Sequence, residues 1–231
     1  MITAIHPSRQ RPKLALETYV KWISKRADYG QWILSIDSDD PNIEDYREHF
    51  RGLDVVILVN DNRSAVDAIN HGAKFATGDI LIVVSDDFDC PEKWDMHIEF
   101  TTRGKTDWIM KCPDGIQDWM ITMPIMDRAY YERFGYIYYP EYRHMFCDTD
   151  LSCVADLLNK RIYAPIQFIH NHYSIGKFQR DSISDRADKT WQQGEEIFLR
   201  RWRSNFDLVN PPGKIRSEAM KNWIEPKLKT A

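Results

Sequence analysis

The sequence predicts an α/β fold, a mainly parallel sheet flanked by helices in a single domain. Three observations carry that prediction. Short apolar, β-branched runs alternate with helix-periodic segments through the first hundred residues, joined by brief turns. Residues 80–84 (Ile-Leu-Ile-Val-Val) are continuously apolar, as a strand covered on both faces must be. Polar clusters follow each of the first four strands, at the edge where open α/β sheets bind ligands.

The elements follow in order. Residues 2–6 are the first strand, followed by Pro7, Ser8 and Arg9. Pro12 opens a helix with Leu16, Tyr19, Val20, Ile23 and Ala27 at helical spacing. The second strand, 32–36, ends in Asp37, Asp39 and Asp40, and a polar helical segment runs to Phe50. The third strand, 54–59, ends in Asn60, Asp61, Asn62 and Arg63. Ser64 with Asp67 three residues later reads as a capping box, and Val66, Ile69, Ala73 and Ala76 form the buried face of the next helix. The fourth strand runs into Asp86, Asp87 and Asp89, and Pro91 opens a helix to about residue 103. Strands at 107–112 and 119–124 flank a turn, and a short helix spans 129–134. An aromatic stretch, 135–142, precedes a helix burying Leu151, Val154, Ala155 and Leu158. A last strand, 162–169, ends in His170, Asn171 and His172. Ala187, Trp191, Gly194, Phe198 and Trp202 mark a C-terminal amphipathic helix, and from Asn210 a surface tail is expected. The division is a domain of residues 1–180, with halves 1–105 and 106–180, followed by a C-terminal helix and tail, 181–231.

At 231 residues, 43% hydrophobic and 29% charged, the chain can bury a sizeable core. It has no apolar run of membrane-spanning length and no basic-then-apolar leader, which suggests a cytoplasmic protein. Four cysteines match no zinc or redox spacing and read as reduced thiols. A net charge of −4 argues against bulk electrostatic capture of nucleic acid.

Carboxylates crowded at the end of a buried strand repel one another unless a cation sits among them, and hard oxygen ligands suit Mg²⁺ or Mn²⁺. Asp87 is the expected direct ligand; a solvated acidic turn is the alternative. His170 and His172, two apart on an extended segment, point to one face and suit metal or phosphate contact, with the choice between them open. Arg9, Asp37 and Asp39 have the donors and acceptors to hold phosphate, base and ribose. Asp148 opens a helix, where it is a favoured cap; the helix dipole weakens it as a base and desolvation strengthens it.

Taken together, the order of these features resembles a family 2 glycosyltransferase of the GT-A fold, of a bacterial or phage type, over residues 1–200. Pro7-Ser8-Arg9 resembles its first nucleotide-contacting loop, and Asp37-Ser38-Asp39 the acidic turn that reads base and ribose. Asn70-His71-Gly72-Ala73 with Ala76-Thr77-Gly78-Asp79 is similar to its Asn-x-Gly…Ala-x-Gly-Asp run. Ser85-Asp86-Asp87 stands where its Asp-x-Asp metal motif belongs, with Ser85 in place of the first Asp. Cys147-Asp148-Thr149-Asp150-Leu151 resembles its Glu-Asp-x-Asp-Leu, with Cys147 in place of Glu, and His170-Asn171-His172 its late metal histidine.

The resemblance implies an inverting, Mn²⁺- or Mg²⁺-dependent transfer from a nucleoside-diphosphate sugar, expected to be a UDP-sugar, to a hydroxyl acceptor, a saccharide before DNA. Catalytic residues are then Asp148, as base, and Asp150; donor contacts are Pro7, Ser8, Arg9, Asp37, Asp39, Asn60, Arg63 and Asp86; metal ligands are Asp87, Asp89, His170 and His172. The rivals are transfer to a modified DNA base through Arg200, Arg201 and Arg203, a nucleotidyltransferase, and a non-catalytic sugar-nucleotide-binding module. Oligomeric state is not legible.

Overall fold

The computed structural model describes residues 1–28 and 30–229. The first half runs β1 (Ile2–Ser8), α1 (Pro12–Ser24), β2 (Gln31–Asp37), α2 (Ile43–His49), β3 (Val56–Asn60), α3 (Ala65–Ala73), β4 (Ile80–Val83), β5 (Phe88–Asp89) and α4 (Trp94–Thr102). The second half runs β6 (Ile109–Lys111), β7 (Ile125–Asp127), α5 (Arg128–Glu132), α6 (Cys147–Leu157), β8 (Arg161–Tyr163), β9 (Ile169–His170), α7 (Ser182–Asp188), α8 (Trp191–Arg203) and α9 (Glu218–Lys229).

Seven strands form the main sheet in the order β3-β2-β1-β4-β7-β6-β8. Only β7 runs antiparallel to its neighbours; the other pairings are parallel. Strand alternation splits the core between the two faces. Ile5, Ile33, Leu81 and Val83 join α3, α6 and α8 on one side. Ala4, Leu34, Ile36, Ile80 and Ile82 join α1 and α4 on the other. Gly72 lets α3 close on β1, since a Cβ there would stand 2.9 Å from Ile5 Cγ2. Asn70, from the same stretch, clamps the aromatic segment: its amide accepts from Ile137 and Tyr138 N–H at 3.0 and 3.1 Å and donates to Tyr138 O at 2.7 Å. Among the described residues no helix is long and apolar enough to cross a membrane, and the four cysteines are buried free thiols.

Four local expectations change. Helix α1 buries Ala15, Thr18, Tyr19 and Trp22, leaving Val20 exposed and Ala27 beyond its end. Residues 119–124 form no strand; Pro124 has no N–H to donate, and the pairing begins after it at β7. The expected strand 162–169 is two, β8 in the main sheet and β9 paired with β5, because Pro165 breaks the ladder between them. The C-terminal helix is divided at Lys189–Thr190, and the expected tail folds back as α9, burying Met220 and Ile224.

Candidate functional site

Strands β1, β2 and β3 progress outward in one direction, and the chain then returns to place β4 on the other side of β1. The strand order reverses there, so the crevice lies beyond the carboxyl ends of β1 and β4. His6, in β1, reaches across this boundary: its Nε2 lies 2.8 Å from Asp86 Oδ1, with both side chains buried. The second Asp86 oxygen is 3.7 Å from Arg11 Nη1. Arg11 in turn donates two bonds, at 2.8 and 2.7 Å, to Asp181, the residue that caps α7.

Beside them, Arg9 donates to Asp37 at 2.7 Å and grips Asp39 with both guanidinium nitrogens. That grip holds the Asp39 carboxyl below the usual range and raises Arg9 above it. Asn62 also donates to Asp37 at 3.1 Å, while Asn60 donates to Asn62 at 3.0 Å. Ser8 Oγ pairs with Tyr46 OH at 2.8 Å, and Pro7 lies within β1, opposite Ser35. Arg63 folds back on Asp67 at 2.8 and 3.1 Å instead of facing the crevice.

The antiparallel β5–β9 pair sets Phe88 opposite His170, and their rings stack 4.2 Å apart. This delivers His170 Nε2 to 3.1 Å from Asp87 Oδ2. Ser85 donates to Asp87 Oδ1 at 2.6 Å, and Asn171 N–H donates to the Asp87 carbonyl at 2.7 Å. Burial works to raise the Asp87 carboxyl, but the bonds from His170 and Ser85 outweigh it and hold it below the usual carboxylate range. Ser85, the departure from the acidic motif, therefore orients Asp87. His170 Nδ1 is buried with no bonding partner.

These two groups fit a hard divalent ion. Neighbouring ligands on an octahedral ion with bonds of about 2.1 Å stand about 3 Å apart, close to the observed Asp87–His170 spacing. Among the described residues no group of three or more His, Cys, Asp and Glu side chains is arranged around a common metal position. An ion held by Asp87 and His170 would have to draw its remaining ligands from water and substrate, as Mg²⁺-type ions can. Asp89 turns elsewhere, to Lys21 and to Asn171 Nδ2 at 2.8 Å. The His172 ring lies 4.9 Å from that of His170, with its Nδ1 engaged by Ser174.

Asp148 and Asp150 share the first turn of α6 but have separate surroundings. Asp148 is half-buried and accepts from Thr149 N–H at 2.7 Å. Burial pushes its carboxyl above the usual range, outweighing that bond, so desolvation wins over the helix terminus. Asp150 is instead locked to Arg201, at 2.5 and 3.2 Å, and to Tyr142 OH at 3.1 Å. It makes no bond to Asp148. Arg201 is also spent: it donates to Asp207 at 2.8 Å and sits 3.6 Å over the Tyr139 ring, so it is not a surface phosphate contact. Arg200 pairs with Glu141 at 2.6 Å.

Several residues here were not singled out from sequence. Arg11 lies two positions past Arg9 in the same loop, a signal that was available. Asp181 and Arg186, whose Nη1 comes within 4.0 Å of Asp37, are brought in from far along the chain with no local motif. His144, just before α6, is exposed, and its pKa is lowered by partial desolvation, with Asp87 and Asp188 near enough to pull the other way.

No protein-family model and no curated protein matches this sequence. By structure, the chain is similar to a mannosyltransferase from Pyrobaculum calidifontis, solved in complex with GDP-Man and Mn²⁺. The TM-score is 0.58 and the identity 15%, covering 73% of this chain and 56% of that one. The chain thus spans little more than half that enzyme's length. What the two share at this identity is the fold: a mostly parallel seven-stranded sheet between helical layers, the GT-A glycosyltransferase architecture.

Proposed function

We propose that this chain is a metal-dependent, family 2-like glycosyltransferase that moves a sugar from a nucleoside-diphosphate sugar to a hydroxyl acceptor with inversion. The observation that carries this reading is the Asp87–His170 pair together with a carboxylate raised by burial, Asp148, near enough for His170 to act on its charge. The solved mannosyltransferase with GDP-Man and Mn²⁺ adds support through its shared fold.

A divalent ion held by Asp87 and His170 would neutralise charge on the departing diphosphate. The chain's own groups do the rest. Asp37, fixed by Arg9 and Asn62, presents a carboxylate able to accept from a base N–H of uracil or guanine, so UDP- and GDP-sugars are the donors to compare. Asp148, raised by burial, accepts the proton of the acceptor hydroxyl as that oxygen bonds to the anomeric carbon and the carbon–diphosphate bond breaks. One displacement inverts the anomeric centre. Residues 1–105 would bind the donor and 106–180 the acceptor. A saccharide acceptor is favoured over DNA, because Arg201 is buried in an ion pair and leaves no basic stripe on α8. Ser85 and Cys147 are compatible with activity: the first supports Asp87, and the second is a buried thiol in the core.

The test is a panel of UDP- and GDP-sugars scored by calorimetry with and without Mn²⁺, followed by NMR of the product's anomeric configuration. Mn²⁺-dependent binding of one sugar nucleotide and an inverted product are expected. Binding of none, or a retained configuration, would refute the proposal.

A further inference from the structure

Segment 178–186 crosses, in turn, the loops after β1, β2 and β3. The Phe178 ring lies 5.4 Å from the Arg11 guanidinium, which forks onto Asp181. Arg186 reaches towards Asp37 and donates to the Arg63 carbonyl at 3.3 Å. The groups facing the switch point are little exposed, the Asp86 side chain 4% and that of Asp37 8%. Arg11 stands between two anions, bonded to Asp181 and too far from Asp86, at 3.7 Å, for a hydrogen bond.

The segment is held to this edge largely by charge. Within α7 only Ser184 is buried, and the internal ties are Arg180 to Asp185 and Asp188 at 2.7 Å and Tyr173 OH to Asp188 at 2.6 Å. A two-pronged guanidinium–carboxylate pair uses the same donor geometry that a guanidinium offers to phosphate.

We propose that Arg11 binds the diphosphate of the donor, and that Asp181 occupies it in the donor-free protein as an internal counter-anion, so that segment 178–186 swings away as the donor enters. The inference rests on the donor reading above. It exchanges one anion for another at a fork already partly desolvated. The apparent donor affinity is then lower than the intrinsic one by the fraction of molecules with the segment open.

Asp181→Asn separates this role from helix capping. Asn remains a good N-cap for Ile183 and Ser184 while removing the charge that holds Arg11. Hydrogen exchange of segment 178–188 without ligand should be faster in Asp181→Asn than in the wild type. Unchanged exchange overturns the latch whatever the donor chemistry. With Mn²⁺ present, affinity for UDP or GDP should tighten about tenfold in Asp181→Asn, by removal of the closed state. It should weaken at least as much in Arg11→Gln, with Arg11→Lys between. Equal nucleoside diphosphate affinity in wild type and Arg11→Gln overturns the assignment of Arg11. Should the wild type bind neither diphosphate while Asp181→Asn still loosens the segment, the donor reading fails and takes the diphosphate role with it.

Discussion

The two flanks of the sheet use charge in opposite ways. On the β3-β2-β1-β4 side, carboxylates and arginines meet over the strand ends in a layer of pairs: Arg9 with Asp37 and Asp39, Arg11 with Asp181, His6 with Asp86. The Arg9 and Arg11 side chains keep 18% exposure there, while His6 and Asp86 beneath them are buried. On the α6–α8 side the principal pair, Asp150–Arg201, is sealed among Tyr139, Tyr142 and Phe206. Burial works to lower Arg201, but the Asp150 carboxylate more than reverses that and keeps the guanidinium charged. Asp148 and Asp150, two residues apart, fall on opposite sides of this divide. The lesson is that an acidic pair at a helix start can hold one carboxylate in a buried ion pair and leave the other on a backbone N–H of the first turn.

The largest expected effect breaks the reactive side. Asp148→Asn should lower the transfer rate about 10²- to 10⁴-fold while donor affinity is unchanged. Transfer close to the wild-type rate would leave Asp148 a first-turn residue of α6 with no part in the chemistry. The pH profile follows with the same sign: the base acts ionised, so the rate should fall as pH drops through the raised Asp148 pKa.

A second variant breaks the structural side. Arg201→Met leaves Asp150 buried without its partner and should cost about 3–5 kcal/mol. The double variant Asp150→Leu/Arg201→Met should recover much of that loss. Equilibrium denaturation checks both, and a single variant as stable as the wild type would show the pair to be dispensable.

Stability sharpens the contrast further. A carboxylate whose folded pKa is raised contributes stability below the unfolded value of 3.8, and that contribution is lost as pH rises through the folded pKa. At neutral pH Asp148→Asn should therefore raise Tm, with each kcal/mol worth about 2–4 °C at this chain length. A lower Tm would mean that its bond from Thr149 N–H dominates.

The smallest effect concerns Asp181. Burial pushes its carboxyl up, but the Arg11 bonds and its own helix-capping bonds prevail and bring it to about 2. Its contribution is present above the ordinary value of 3.8 and lost as pH falls through about 2. Any Tm difference between wild type and Asp181→Asn should thus be full at neutral pH and shrink only in that acidic window. A difference that vanished near neutrality would contradict the assigned ion pair.

The first half was legible because β1, β2 and β4 are buried on both faces and end in polar clusters. Ile80 to Val83 and the carboxylates after them declare both the element and its edge. The second half was harder to read. Its strands are three residues long, Pro124 and Pro165 cut the ladders, and aromatic residues pack without a clear period. Helix α1 misled because Ala15 and Thr18, small enough to lie against the sheet, are buried while Val20 faces water. Helix α9 did carry a signal, Met220, Trp223 and Ile224 at helical spacing, which the neighbouring lysines and prolines obscured. At the site, Asp87 and His170 were recognisable as types, but Asp89 was indistinguishable from them until Lys21 was seen to hold it. Long-range partners such as Asp181 leave no local trace.

The central claim is that Asp87 and His170 hold the ion through which a sugar nucleotide binds. Titrating UDP and GDP, and then the matching sugar nucleotides, into wild type and Asp87→Ala with and without Mn²⁺ tests it most directly. The account predicts Mn²⁺-dependent binding of one nucleotide series in the wild type and its loss in a folded Asp87→Ala. Equal affinity in the two proteins, or binding indifferent to Mn²⁺, would contradict it.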